Sequence, residues 1–191
     1  MGHPIFSNTD FLNAALALAA ERGPSSVTVG AIAGILRAPT GSFYHRFASR
    51  TALLAELWLN TVESFQVGIG EALDAGDGLR AALHTPAWVR AHPDEGRLLL
   101  LYHRDDFVEG NWPEAFRGRL AEQEQRGQAR LRKFARATFG RAGTNEVRRA
   151  QFVLSEVPVA AVRRHLLRRE PPPKIVDELI CTTYQAVVAS H

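Results

Sequence analysis

The sequence predicts an all-α chain: a small N-terminal helix-turn-helix unit followed by a larger helical bundle. Three observations carry this prediction. Apolar residues recur at three- and four-residue spacing from Phe11 to Val187, no segment alternates with the period of two that a half-buried strand needs, and Gly and Pro cut the chain into helix-length pieces. The first unit centres on Val27 to Arg50, VTVGAIAGILRAPTGSFYHRFASR. Two short helices and a tight turn in a basic chain are the arrangement that enters the DNA major groove.

Composition bounds the possibilities. The 191 residues, 46% hydrophobic and 23% charged, suit a folded chain with a sizeable core. A net charge of +3 and a pI near 9.5 are compatible with a polyanionic partner. Arg supplies nearly all of the 23 cations, which genome composition accounts for as well as phosphate contact does. The single Cys181 excludes an internal disulfide framework and agrees with a cytoplasmic location. Ala14 to Ala20 is apolar but has no basic segment before it, so no secretory signal is expected. No apolar run approaches the roughly 20 residues of a membrane span, and no membrane partner is expected.

In chain order, Met1 to Asn8 reads as a short arm, with His3 in a loose terminus. Thr9 or Asp10 is placed to cap a helix whose apolar residues run from Phe11 to Ala19, and Gly23 with Pro24 ends it. Thr28 caps the next helix, and Val29, Ile32, Ala33 and Leu36 make its apolar stripe. Arg37 and Ala38 form the turn, and Pro39 opens a helix to Phe47, too short to stand alone. Phe43 and Phe47 point inward, leaving Thr40, Gly41, Ser42, Tyr44, His45 and Arg46 outward. Arg50 begins the following helix at the rim of a docked groove. Gly41 costs the helix about 0.5–1 kcal/mol relative to Ala, which suits close approach by DNA or by a neighbouring helix.

The Ala-rich first helix ending in Glu-Arg-Gly, T28-V-G-A-I-A33, T40-G-S-F-Y-H-R-F47 and A-S-R50-T-A-L-L54 together resemble the DNA-binding domain of the TetR family of transcriptional regulators. The resemblance covers roughly residues 9 to 58. It implies a DNA-binding domain over residues 1–50 and an effector-binding and dimerisation domain over 51–191, joined by a helix from about residue 50. It further implies that Thr28, Tyr44, His45 and Arg50 contact phosphates, while Thr40, Gly41, Ser42 and Arg46 face base edges. Three features depart from the family pattern: Arg37 stands where Gly is usual, Pro39 replaces a capping Ser, and Gly30 has no side chain where some relatives read a base. Arg50 replaces the common Lys, with a different donor geometry.

The body reads as helices from Thr51 to Ala75, Leu79 to Ala91, Pro93 to about Phe107, Pro113 to about Phe139, and a long one after the Gly140 to Gly143 break. Pro158 inside that last helix predicts a kink near Leu154. A turn at Glu109 to Trp112 and a rigid Pro171 to Pro173 spacer separate elements. The final helix, Lys174 to Ala189, carries Ile175, Leu179, Thr183, Tyr184 and Val187 on one side.

Bulky residues gather in the middle of the body: Trp88, Leu99, Tyr102, His103, Phe107, Trp112, Phe116 and Phe152. Periodicity alone reads them as core; the family resemblance implies a cavity for a small-molecule effector between the body helices. Glu156, among Val153, Leu154, Val157 and Val159, either faces inward toward a cationic ligand or a buried Arg, or lies on the helix's polar side. Arg148, Arg149, Arg163, Arg164, Arg168 and Arg169 read as a solvated face or salt-bridge rim. Ser155, Asp105, His103 and Cys181 lie in no catalytic motif, and His103 with Asp105 or Asp106 lacks metal-ligand spacing. Neither enzyme activity nor a cofactor or metal is therefore expected.

Two readings follow. One is a ligand-responsive repressor that binds a double-stranded DNA operator as a homodimer; the other is a ligand-binding or sequestering bundle without specific DNA binding.

Overall fold

Ser7 starts the first helix with a reciprocal cap. In a computed structural model, which describes residues 6–108, 110 and 112–190, Asp10 N–H donates to Ser7 Oγ at 3.2 Å and Ser7 N–H donates to Asp10 Oδ2 at 2.7 Å. These bonds hold the Asp10 carboxyl below its usual range. The cap therefore falls on Ser7 rather than on Thr9 or Asp10. Helix α1 (Asn8–Arg22) buries Phe11, Ala14, Ala15, Leu18 and Ala19 and ends at Gly23, whose φ of 87° only Gly adopts without strain. Most of the expected N-terminal arm, with His3, and the turn residues Glu109 and Asn111 lie outside the described residues.

Thr28 caps α2 (Val29–Leu36), its Oγ1 accepting from Ala31 N–H at 3.1 Å. Arg37 then takes the left-handed conformation (φ 52°, ψ 37°) that terminates a helix, and Ala38 N–H closes the turn on Ala33 O at 3.0 Å. Helix α3 (Thr40–Tyr44) has only five residues. It is held by Phe43 and Phe47, both buried, whose rings lie 5.9 and 6.2 Å from Phe11. Ser49 caps α4 (Arg50–Asp74), a 25-residue helix that leaves the head and runs along the body.

The body continues with α5 (Gly78–Ala91), α6 (Pro93–Leu101), α7 (Glu114–Phe139), α8 (Thr144–Gln151), α9 (Val157–Arg168) and α10 (Ile175–Ala189). No strand occurs among the described residues. Helix α6 stops at Leu101, six residues before the Phe107 expected from periodicity, because Tyr102 turns extended and a single 3₁₀ turn follows at Arg104–Asp106. Pro158 has no N–H for Leu154 O, and over Phe152–Glu156, where the kink is expected, the chain widens into a π turn in which Val157 N–H donates to Phe152 O. Helices α8 and α9 thus follow one another through this turn without a loop.

Two apolar cores result. The first joins α1–α3 and the start of α4 to Leu98, Phe107, Val108 and Trp112, so it crosses the position-50 boundary. The second lies among α4, α5, α7, α9 and α10 around Trp88, Phe134, Val162 and Ile180. In α10 the buried face is Val176 and Ile180; Ile175 and Leu179, expected together on one side of the helix, are 50% and 59% exposed. The sequence offers two adjacent apolar stripes there, and α5 and α9 cover only one of them.

Candidate nucleic-acid interface

The outward face of the α2–α3 unit is set by its inward one. With Phe43 and Phe47 in the core, Thr40, Gly41, Tyr44, His45 and Arg46 are exposed and Ser42 is half-buried. Tyr44, 61% exposed, stands edge-on against Phe43 with ring centroids 5.3 Å apart, which fixes the direction of its phenol. Thr28 is exposed; its oxygen caps α2, leaving the hydroxyl hydrogen to donate outward.

A Cβ added at Gly41 or Gly30 would meet no atom within 4 Å. No neighbouring helix therefore requires these glycines. Together with small Thr40 and Ser42, they leave a shallow surface that a groove wall can enter.

Two of the expected contact residues are engaged inside the protein. Arg46 Nη1 donates to Asn8 Oδ1 at 3.1 Å, so its guanidinium leans toward the start of α1. Arg50 does not stand free at a groove rim: its Nη2 donates to Pro24 O at 2.8 Å and its Nε donates to Val27 O. The physical reason is the short 3₁₀ segment between α1 and α2, whose Pro24 O, already accepting from Val27 N–H at 3.2 Å, and Val27 O face the first turn of α4. Arg50 acts as a strut between α4 and the segment that launches α2. Ile35, 52% exposed on α2, is the surface residue that the sequence reading passed over; it lies off the stripe of Val29, Ile32, Ala33 and Leu36, and that omission was its only signal.

The nine residues expected around an effector do not line one cavity. Trp88 and Leu99 belong to the second core, with Trp88 5.0 Å from Phe65 and 5.2 Å from His92 by ring centroids. Tyr102, Phe107, Trp112 and Phe116 pack in the first core, against the head, where Trp112 meets Trp58 at 5.4 Å. The early end of α6 goes with this division, since Tyr102, Phe107 and Trp112 beyond it join the first core. His103 is exposed. Phe152 sits on the π turn and is 40% exposed. Glu156 is not an inward charge awaiting a ligand: it accepts from Arg148 Nη1 at 2.7 Å on the helix's outer side.

Among the described residues no group of three His, Cys, Asp or Glu side chains is placed to hold a metal ion. No described helix is long and apolar enough to cross a membrane.

Comparison with known proteins agrees with this geometry. Residues 11–57 match the family model of bacterial regulatory proteins, tetR family. A TetR family transcription regulator from Marinobacter aquaeolei VT8 superposes with a TM-score of 0.69 at 17% identity, over 95% of this chain and 93% of that one. The transcriptional regulator FadR from Bacillus subtilis, solved in complex with stearoyl-CoA, gives 0.68 at 14% identity, over 97% and 100%. A tetR family regulator from Shewanella sp. PV-4 gives 0.65 at 18%, over 95% of each chain. No curated protein matches the sequence.

Proposed function

We propose that the chain, whose residues 11–57 match the tetR family model, is a cytoplasmic, non-enzymatic repressor that binds operator DNA as a homodimer and is released by a small-molecule effector. The observation that carries the proposal is the α3 surface: small, open groups at Thr40 and Gly41 beside the exposed Tyr44, mounted on a buried Phe43–Phe47 pair. In this reading α3 enters the major groove, Thr40, Gly41 and Ser42 meet base edges, and Thr28, Tyr44 and His45 meet phosphates. Residues 1–50 form the DNA-binding part and 51–191 the effector and dimer part, with Phe107, Val108 and Trp112 as the packing between them.

Dimerisation is supported by apolar side chains left outward on the last helices. Leu167, Ile175 and Leu179 are 62%, 50% and 59% exposed. A second copy related by a two-fold axis would cover them and present two heads to successive half-sites. Effector response is supported by the like-folded FadR, which holds stearoyl-CoA.

Binding-site selection with the wild type and Ser42→Ala tests the proposal. Wild type should select a two-fold symmetric site, with affinity falling steeply as salt rises, and the variant should change the selected bases. Recovery of no preferred sequence by wild type would sink the repressor reading in favour of a ligand-binding bundle.

A further inference from the structure

Two guanidinium groups tie the head to the end of α9. Arg97, on α6, donates through Nε to Ala20 O at 2.8 Å and through Nη1 to Leu166 O. Arg169, in left-handed conformation (φ 58°) at the end of α9, donates through Nη2 to Glu21 O at 2.9 Å. These carbonyls belong to the last turns of α1 and α9, where helix ends leave acceptors unpaired and the dipole favours a cation.

Beside these groups lies a cavity of about 420 Å³ between α5, α6, α9 and the Pro171 segment. Its floor is apolar, formed by the buried Val89 and Leu166. The Arg97 and Arg90 side chains stand in its wall, and Arg169, Asp94 and Glu170 form its open side. Arg90 is paired already, bonded to both Asp177 oxygens at 2.9 and 3.1 Å, to Pro172 O at 2.7 Å and to Pro173 O at 3.2 Å. Arg97 and Arg169 form no ion pair among the described residues, nor do Asp94 and Glu170.

We infer that this cavity binds an amphipathic monoanion, a carboxylate on a short apolar body, and that the carboxylate competes with the Ala20 and Glu21 carbonyls for the Arg97 and Arg169 donors. The apolar body lies on Val89 and Leu166. Asp94 and Glu170 at the mouth repel a ligand of higher negative charge. The size falls within the range of small-molecule sites. The ligand favours a state in which α1 is loosened from α9, so head orientation and occupancy are linked. This inference rests on the reading of the chain as a ligand-responsive DNA-binding regulator.

Calorimetric titration of the full chain with octanoate and, as its uncharged counterpart, octan-1-ol tests the site. Octanoate should saturate at one per chain and bind at least about tenfold more tightly than octan-1-ol, the ratio expected from one charge-assisted hydrogen bond. R97Q should weaken octanoate by about tenfold and leave octan-1-ol unchanged. R169Q, at an exposed position, should do the same and serves as the second variant should R97Q fail to fold. Absence of saturable octanoate binding, equal affinity for the alcohol, or indifference to R169Q overturns the site. Octanoate should also weaken binding to the selected DNA; arginine-dependent binding that leaves DNA affinity unchanged overturns the coupling. A chain that binds no DNA at all removes the regulator reading, while the titration still decides the cavity.

Discussion

Replacing Arg50 by Met separates a strut from a phosphate contact. The side chain keeps its stem but loses two hydrogen bonds from a charged donor, to Val27 O and Pro24 O. Bonds involving a charged group are worth about 1.5–3 kcal/mol each. Arg50 is only half-buried, and water can replace part of what is lost, so the total falls to about 2–3 kcal/mol. For a urea m-value of about 2 kcal/mol/M this moves the unfolding midpoint down by about 1 M. DNA affinity should also fall, because the segment that launches α2 is no longer anchored to α4. The slope of log affinity against log salt should stay at its wild-type value, since no phosphate partner has been removed. Urea unfolding and a salt series of fluorescence anisotropy measure the two quantities independently. A variant with an unchanged midpoint and a salt slope smaller by about 0.9 would return Arg50 to the phosphate backbone and refute the strut.

Gly41→Ala should stabilise the chain by about 0.5–1 kcal/mol, since its Cβ meets open space, yet lower DNA affinity; thermal melting and a gel shift check the pair, and unchanged affinity removes Gly41 from the contact face. Gly78→Ala should destabilise by about 1–3 kcal/mol, because its Cβ would lie 2.3 Å from both Phe134 Cε2 and Tyr184 Oη and would force α5 away from α7 and α10; a urea midpoint equal to wild type contradicts that packing. Leu179→Lys should convert a dimer to a monomer without lowering helix content, as sedimentation and circular dichroism would show. Burial holds the His84 imidazole below its ordinary 6.5, against weaker opposite pulls from the Phe65 backbone and Glu71. The unfolded chain therefore takes up the proton first, so His84 contributes stability above that pH that is lost as pH falls below it. The urea midpoint should drop on acidification less steeply in His84→Gln than in wild type; identical pH profiles refute the assignment.

Local rules made much of the head legible. Thr28 caps α2, and Phe43 and Phe47 turn inward, because capping chemistry and four-residue spacing act within a single turn of chain. Arg37 in the left-handed region follows from a turn that must close whichever residue occupies it. Arg50 was not legible: its partners are backbone carbonyls more than twenty residues away, and carbonyls leave no mark on sequence. The end of α6 was hidden because Tyr102 continues the apolar period set by Leu98 and Leu99 while its backbone turns extended. A helix extended to Phe107 puts Tyr102, Phe107 and Trp112 at the body centre, whereas the earlier end packs them against the head. In α10 the pairs Ile175–Val176 and Leu179–Ile180 offer two equal stripes, and only tertiary packing chooses between them.

The π turn at Phe152–Glu156 solves a counting problem. Glu146, Ala150, Leu154, Pro158, Val162 and Leu166 are all buried and stand at unbroken intervals of four residues. On an ideal α-helix each such interval overshoots a full turn by about 40°, so five of them would carry the row about 200° around, onto the opposite side of the rod. The wide turn absorbs about one residue and returns roughly half of that drift. Were the same residues wound as an ordinary α-helix, every later side chain would keep its order yet rotate by about 100° relative to α8. Leu167 and its neighbours would then point away from the side on which the proposed dimer places a second copy.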